Sequence, residues 1–159
     1  MQSLYDKEMV KPMWQELADI GIKPLTNSSE VDQYMANTSG TSLVVINSVC
    51  GCSAGSARPG VALALQHKII PDHLATVFAG VDREATEKAR TYIKGYPPSS
   101  PSMALFKNGQ LVFMLERHQI EGAEAEEVAE TLANAFDQHC TRPGPSVSED
   151  QLKRAFGLK

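Results

Sequence analysis

The chain is short of cysteine, of positive charge and of long apolar runs. Three cysteines in 159 residues are too few, and odd in number, for a disulfide scaffold. No apolar run approaches the roughly 18 residues that a membrane-spanning helix needs. Basic residues do not dominate: 15 Lys and Arg face 19 Asp and Glu, for a net charge of -4. That balance argues against a nucleic-acid partner, which calls for a basic face, and against a polybasic membrane anchor. Asp6 and Glu8 interrupt the first eight residues and no apolar segment follows, so a secretory signal is not expected and a cytoplasmic, reducing location is. Hydrophobic residues at 42% and charged residues at 21% exclude wholesale disorder and suit one domain with its own core.

The pattern of apolar residues predicts alternating elements. Ser3 stands as an N-cap before Val10, Met13, Trp14 and Leu17 at helical spacing, predicting a helix over residues 4–20 that stops at Gly21. Trp14 and Met13 read as core. A short extended piece over 22–26 precedes a helix capped by Ser28 or Ser29, with Val31, Tyr34 and Met35 inward. Leu43-Val44-Val45-Ile46 is continuous and β-branched, as in a central strand buried on both faces. A helix over 52–68 follows, kinked or broken at Pro59. Residues 74–79 form a second buried strand, and Asp82 caps a helix over 83–93. After the stiff loop 97–102, strands 103–106 and 111–115 join through Asn108-Gly109, a strong hairpin signal.

A last domain helix spans 124–139, with Glu124, Glu126, Glu127 and Glu130 on its solvated face. Strand–helix alternation implies an α/β domain, a mixed sheet with helices on both faces. Arg142-Pro143-Gly144-Pro145 breaks the chain, so the domain is expected to occupy residues 1–140. The tail, 141–159, carries a short amphipathic helix beginning at Ser148. Burial of Leu152 and Phe156 is worth about 3–6 kcal/mol. Ordering some nine residues costs more, at roughly 1–2 kcal/mol each, so weak docking or none is expected.

Chemistry concentrates at Cys50-Gly51-Cys52, where the buried strand gives way to a helix. The helix start offers free N–H groups and a positive dipole end, both of which favour thiolate over thiol. Cys50, at the strand exit, is the expected nucleophile. Cys52, inside the first turn, is the expected resolving thiol. One intervening residue makes a small disulfide ring that is hard to close without strain. Gly51 eases that strain, having no Cβ. The couple should therefore be readily reduced, with a comparatively high potential. Two thiolates alone leave a zinc ion short of ligands. His67, His73, His118 and Cys140 lack the local spacing to complete a site, so no metal is expected.

Residues 100–109, Ser-Pro-Ser-Met-Ala-Leu-Phe-Lys-Asn-Gly, resemble the thioredoxin segment in which a cis-proline opens a strand. The element order resembles the thioredoxin fold with one extra N-terminal helix. Within that superfamily, Asn47-Ser48-Val49-Cys50-Gly51-Cys52, Ala57-Arg58-Pro59, Phe78-Ala79-Gly80 and Pro98-Ser99-Ser100-Pro101-Ser102 resemble the bacilliredoxins. So do Arg117-His118, Ile120-Glu121-Gly122 and Asp137-Gln138-His139-Cys140. The resemblance covers about residues 4–140. It implies a dithiol thiol-disulfide oxidoreductase that removes bacillithiol from S-bacillithiolated proteins, with bacillithiol as co-substrate and no other cofactor. Client proteins, bacillithiol and a recycling reductase are the implied partners. It further implies a cis Pro101 opposite the cysteines, with Ser100 offering backbone groups to substrate.

Arg58 is weighed as a holder of an anionic adduct or thiolate against an ordinary solvated helix residue. Cys140 is weighed as a third redox cysteine against a half-buried structural thiol. The acid found on the thioredoxin central strand has no counterpart in Val44-Val45-Ile46, which leaves proton transfer to water or another group. Broad disulfide isomerisation, metal or metallocluster carriage by the two thiolates, and a binding module without turnover are the competing functions.

Overall fold

In the computed structural model, which describes residues 1–36 and 39–158, one five-stranded sheet organises the chain. Its strands are β1 (Lys23–Pro24), β2 (Thr41–Asn47), β4 (His73–Phe78), β5 (Ser102–Lys107) and β6 (Gln110–Leu115), in the order β1-β4-β2-β5-β6. β1 and β2 both pair parallel with β4, whereas β5 runs antiparallel to β2 and β6 antiparallel to β5. This is the expected thioredoxin-like arrangement. A separate two-stranded ribbon joins β3 (Ile69–Ile70) to β7 (Arg142–Pro143).

All seven residues of β2 are buried, because helices cover both faces of the sheet. Leu43, Val45, Met103 and Leu105 face a core formed with α3 (Arg58–Ala64), α6 (Ala125–His139) and α7 (Glu149–Ala155). Val44, Ile46, Ala104 and Phe106 face the other core, formed with α2 (Ser28–Ala36) and α4 (Arg83–Tyr92). The period-two alternation of a pleated strand assigns successive residues to opposite cores. The β5–β6 hairpin turns at Asn108 and Gly109 with φ of 50° and 81°, the left-handed pair that an Asn-Gly turn provides.

Several local expectations change. The N-terminal helix, α1, spans Lys7–Ala18, and Asp6 caps it by accepting from the Glu8 N–H at 2.9 Å. Ser3 instead bonds to Tyr5. The helix expected over 52–68 is two pieces: a π-helical turn over Ser53–Ala57 and then α3. Pro59 directly follows the π-helical turn, inside a coil that runs on from residue 51 to 64, so its missing N–H is taken up by a local change of helical pitch. The π-helical turn is the local irregularity expected at Pro59, whereas the helix ends at Ala64, short of residue 68, before residues 69–70 pair with β7. Asp82 occupies the N-cap position of α4 without a side-chain cap bond. A short helix absent from the sequence reading, α5 (Arg117–Ile120), follows β6. Glu124 and Glu127 form a reciprocal cap on α6 as well as belonging to its solvated face.

The tail is the largest correction. Leu152 is buried with 7% exposure, and Val147, Ala155 and Phe156 pack on the same core. Ordering entropy is not opposed by two side chains alone. The β3–β7 ladder, Gly144 N–H to Lys68 O at 2.9 Å and Ser146 N–H to Leu65 O at 2.9 Å anchor the backbone. Ser146 Oγ donates to Ile20 O at 3.1 Å and Gln151 Nε2 to Asp19 O at 2.8 Å. Ser148 caps α7 by accepting from the Gln151 N–H.

Candidate functional site

β2 delivers Cys50 at the end of the sheet where parallel strands β2 and β4 finish. Ser53 and Ala54 N–H groups donate to Cys50 O at 3.0 and 3.3 Å, so the chain begins to coil at Cys50 itself. Both thiols are free and half-buried. Gly51 is exposed, and a Cβ placed on it would meet nothing within 4 Å. In the dithiol form Gly51 thus fills no packing need.

The two thiols are perturbed in opposite directions. Burial raises the Cys50 pKa, but hydrogen bonds from the Cys52 thiol, the Ser48 hydroxyl and the Ser53 and Cys52 amides outweigh it and bring Cys50 below an ordinary thiol. Burial raises Cys52, and both the hydrogen bond to Cys50 and that group's charge raise it further, against a lowering by Arg117. The Ser53 and Cys52 amides at the helix start account for part of the Cys50 shift. The neighbouring thiol and Ser48 account for more.

A buried polar network holds this loop from beneath. Asn47, fully buried at the end of β2, donates from Nδ2 to Met13 O at 3.0 Å. Its Oδ1 accepts from Ser48 N–H at 2.8 Å, Ser53 Oγ at 2.9 Å and Arg58 Nη1 at 3.1 Å. Arg58 also donates to Ser48 O at 3.0 Å and Ser53 Oγ at 3.1 Å, and its Nε pairs with Glu16 of α1 at 2.6 Å. Ser48 Oγ in turn accepts from Cys50 N–H at 3.2 Å. Arg58 is 5% exposed, so it is neither a solvated helix residue nor presented to an adduct. A sheet-end position with many polar acceptors draws it inward, where it ties α1 to the cysteine loop.

Ser100-Pro101 is a cis peptide, and Pro101 is buried while Ser100 is half-exposed. Gly144-Pro145 is a second cis bond, in the tail. The Ser100 carbonyl, expected to meet substrate, accepts from Arg117 Nη1 at 3.1 Å. Arg117 N–H also donates to Ser99 Oγ at 3.4 Å. The positive charge of Arg117 acts on both cysteines. Arg117, Asn47 and Ser48 stand in motifs that the sequence reading quoted for the resemblance, but it gave them no role at the site. The available signals were a polar residue ending an apolar strand and an arginine two residues past the hairpin.

Cys140 belongs to the core, and burial raises its pKa. It neighbours Thr41 and Asp72, at the opposite end of β2 from Cys50, roughly 20 Å away by strand length. Its burial in the core, away from Cys50, fits the structural reading rather than a third redox cysteine. Among the described residues, no three His, Cys, Asp or Glu side chains gather as a metal site, and no helix is long and apolar enough to cross a membrane.

The family model described as Disulphide isomerase matches residues 5–140. A bacilliredoxin of Halalkalibacterium halodurans is 54% identical over 136 residues, covering 86% of this chain and 94% of that protein. The chain belongs to the bacilliredoxin family. A bacilliredoxin of Cytophaga hutchinsonii is 52% identical over 135 residues, covering 85% of this chain and 99% of that one. Thioredoxin from Plasmodium falciparum is 18% identical, covering 72% of this chain and 98% of that chain, with a TM-score of 0.49. As a bacilliredoxin with a disulfide-isomerase match, the protein is a thiol-disulfide oxidoreductase. The match ends at residue 140, so the docked tail lies outside the region shared with the family model.

Proposed function

We propose that the protein removes bacillithiol, or a similar low-molecular-weight thiol, from S-thiolated proteins in the cytoplasm. Cys50 attacks the bacillithiol sulfur of the mixed disulfide, and the client cysteine leaves as a thiolate. Cys52 then loses its proton, attacks Cys50 Sγ and releases bacillithiol, leaving a Cys50–Cys52 disulfide. A dithiol reductase or a second thiol returns that disulfide to the dithiol. No resident cofactor, nucleic acid or membrane enters this scheme.

The opposite perturbation of the paired thiols carries the reading. The hydrogen bonds that lower Cys50 favour its thiolate as the attacking group, and burial together with the Cys50 hydrogen bond and charge raises Cys52, which suits the later, resolving role. The test is mass spectrometry after mixing the reduced protein with an S-bacillithiolated client. Cys52→Ser should accumulate one bacillithiol on Cys50, wild type should end as the internal disulfide, and Cys50→Ser should take up nothing. An adduct on Cys52 in the Cys50→Ser variant, with full client reduction, would reverse the roles.

Broad disulfide isomerisation is the second reading, favoured by the description of the matching family. Reactivation of a scrambled disulfide protein, without any added low-molecular-weight thiol, would support it over the first.

A further inference from the structure

Three neighbouring strands end together at the cysteine loop. In β2 and β5, Ile46 pairs with Ser102; in β5 and β6, Met103 pairs with Leu115. Continuing each strand beyond those pairs places Cys50-Gly51-Cys52, Ser99-Ser100-Pro101 and Arg117 in one row across the same sheet end. Arg117 is tied to the middle of that row through Ser100 O at 3.1 Å. Its Nε lies 3.5 Å from Glu121, and its side chain remains 43% exposed. Its charge is felt by both sulfurs, Cys52 more than Cys50. Arg58, the other arginine near the loop, is buried against Glu16. Of these two arginines Arg117 is the exposed one, open to an incoming adduct.

We propose that Arg117 is a specificity-determining residue that favours adducts whose low-molecular-weight thiol carries a carboxylate. This rests on the reading above, in which the adduct passes to Cys50. Once Cys50–S–S–R has formed, R lies beside the guanidinium, and a carboxylate on R is drawn to it while an ammonium is repelled. Guanidinium is suited to the role because it stays charged and presents several donors to one carboxylate. Glu121 competes for the same cation and tempers the preference.

The experiment uses one client protein carrying 3-mercaptopropionate, 2-mercaptoethanol or cysteamine as a mixed disulfide. Single-turnover transfer to the reduced full-length protein needs no external reductant, since the Cys50–Cys52 dithiol supplies both electrons. Each rate is divided by that of the neutral adduct with the same variant, which removes changes in thiol reactivity. Wild type should prefer the anionic over the cationic adduct by about fivefold, a size typical of a half-exposed charge pair. Arg117→Gln should bring that ratio near one, Arg117→Lys should retain most of it, and Glu121→Gln should increase it. The preference should shrink in 1 M salt, where the screening length is about 3 Å. An equal ratio in wild type and Arg117→Gln overturns the proposal alone. Absence of transfer from all three adducts would overturn the underlying reading as well.

Discussion

Replacing Arg58 with methionine isolates the network under the cysteine loop. Methionine keeps most of the side-chain volume and removes the charge and every donor. The change breaks an ion pair to Glu16 at 2.6 Å and three further bonds from Nη1, to Asn47, Ser48 O and Ser53 Oγ. Asn47 Oδ1 keeps two donors, but Ser48 O loses the arginine and Glu16 loses its cation. Stranding one member of a fully buried pair costs about 3–5 kcal/mol. The Glu16 side chain is 24% exposed, so water recovers part of that, and about 2–4 kcal/mol is expected. At this chain length 3 kcal/mol corresponds to a fall in Tm of roughly 6–12 °C.

Glu16→Gln alone should cost about 1–2 kcal/mol, because arginine then keeps a neutral acceptor. The double variant should cost less than the sum by about 1–2 kcal/mol. Urea unfolding of the four proteins under reducing conditions measures all of these values. Because Ser48 holds the Cys50 amide, Arg58→Met should also alter the rate at which Cys50 is alkylated. A cost below about 1 kcal/mol, or strict additivity of the two substitutions, would refute the role given to Arg58 in tying α1 to the loop.

Three further outcomes follow from the same geometry. Cys52→Ala removes the first hydrogen bond that lowers Cys50, so the midpoint of Cys50 alkylation against pH should move up; Cys52→Ser, which keeps a donor, should move it less, and an unchanged midpoint in both would contradict the paired-thiol picture. Leu152→Ala should destabilise the protein by about 2–4 kcal/mol by opening a cavity, while truncation after Cys140 should lower Tm yet leave thiol exchange at Cys50 intact; no change in Tm would mean that the tail does not dock. The Cys50–Cys52 couple should lie well above about −270 mV, within roughly −230 to −120 mV, and Gly51→Ala should raise it further by stabilising the coiled dithiol and straining the small ring; a glutathione titration below about −260 mV would sink the ring-strain reasoning.

Much of this protein was written locally. The run Leu43–Ile46, the Asn108-Gly109 turn and the heptad-like stripe of Val128, Leu132, Ala135 and Phe136 each declare their element, because burial and turn geometry act over a few residues. Their order was enough to expect the sheet and helices, and the placement of Cys50 and Cys52 at a strand exit was enough to expect reactive thiols. Tertiary structure decided the rest. Whether Arg58 meets solvent or Glu16, 42 residues away in sequence, depends on how α1 crosses the sheet end, and no local pattern encodes that crossing. Arg117 becomes part of the site only because three strands finish in register. The tail docks only because residues 142–143 find residues 69–70. Propensity and periodicity are short-range, so they foretell elements; long-range pairing determines which polar groups share a dielectric boundary, and there thiol reactivity and charge selection are set.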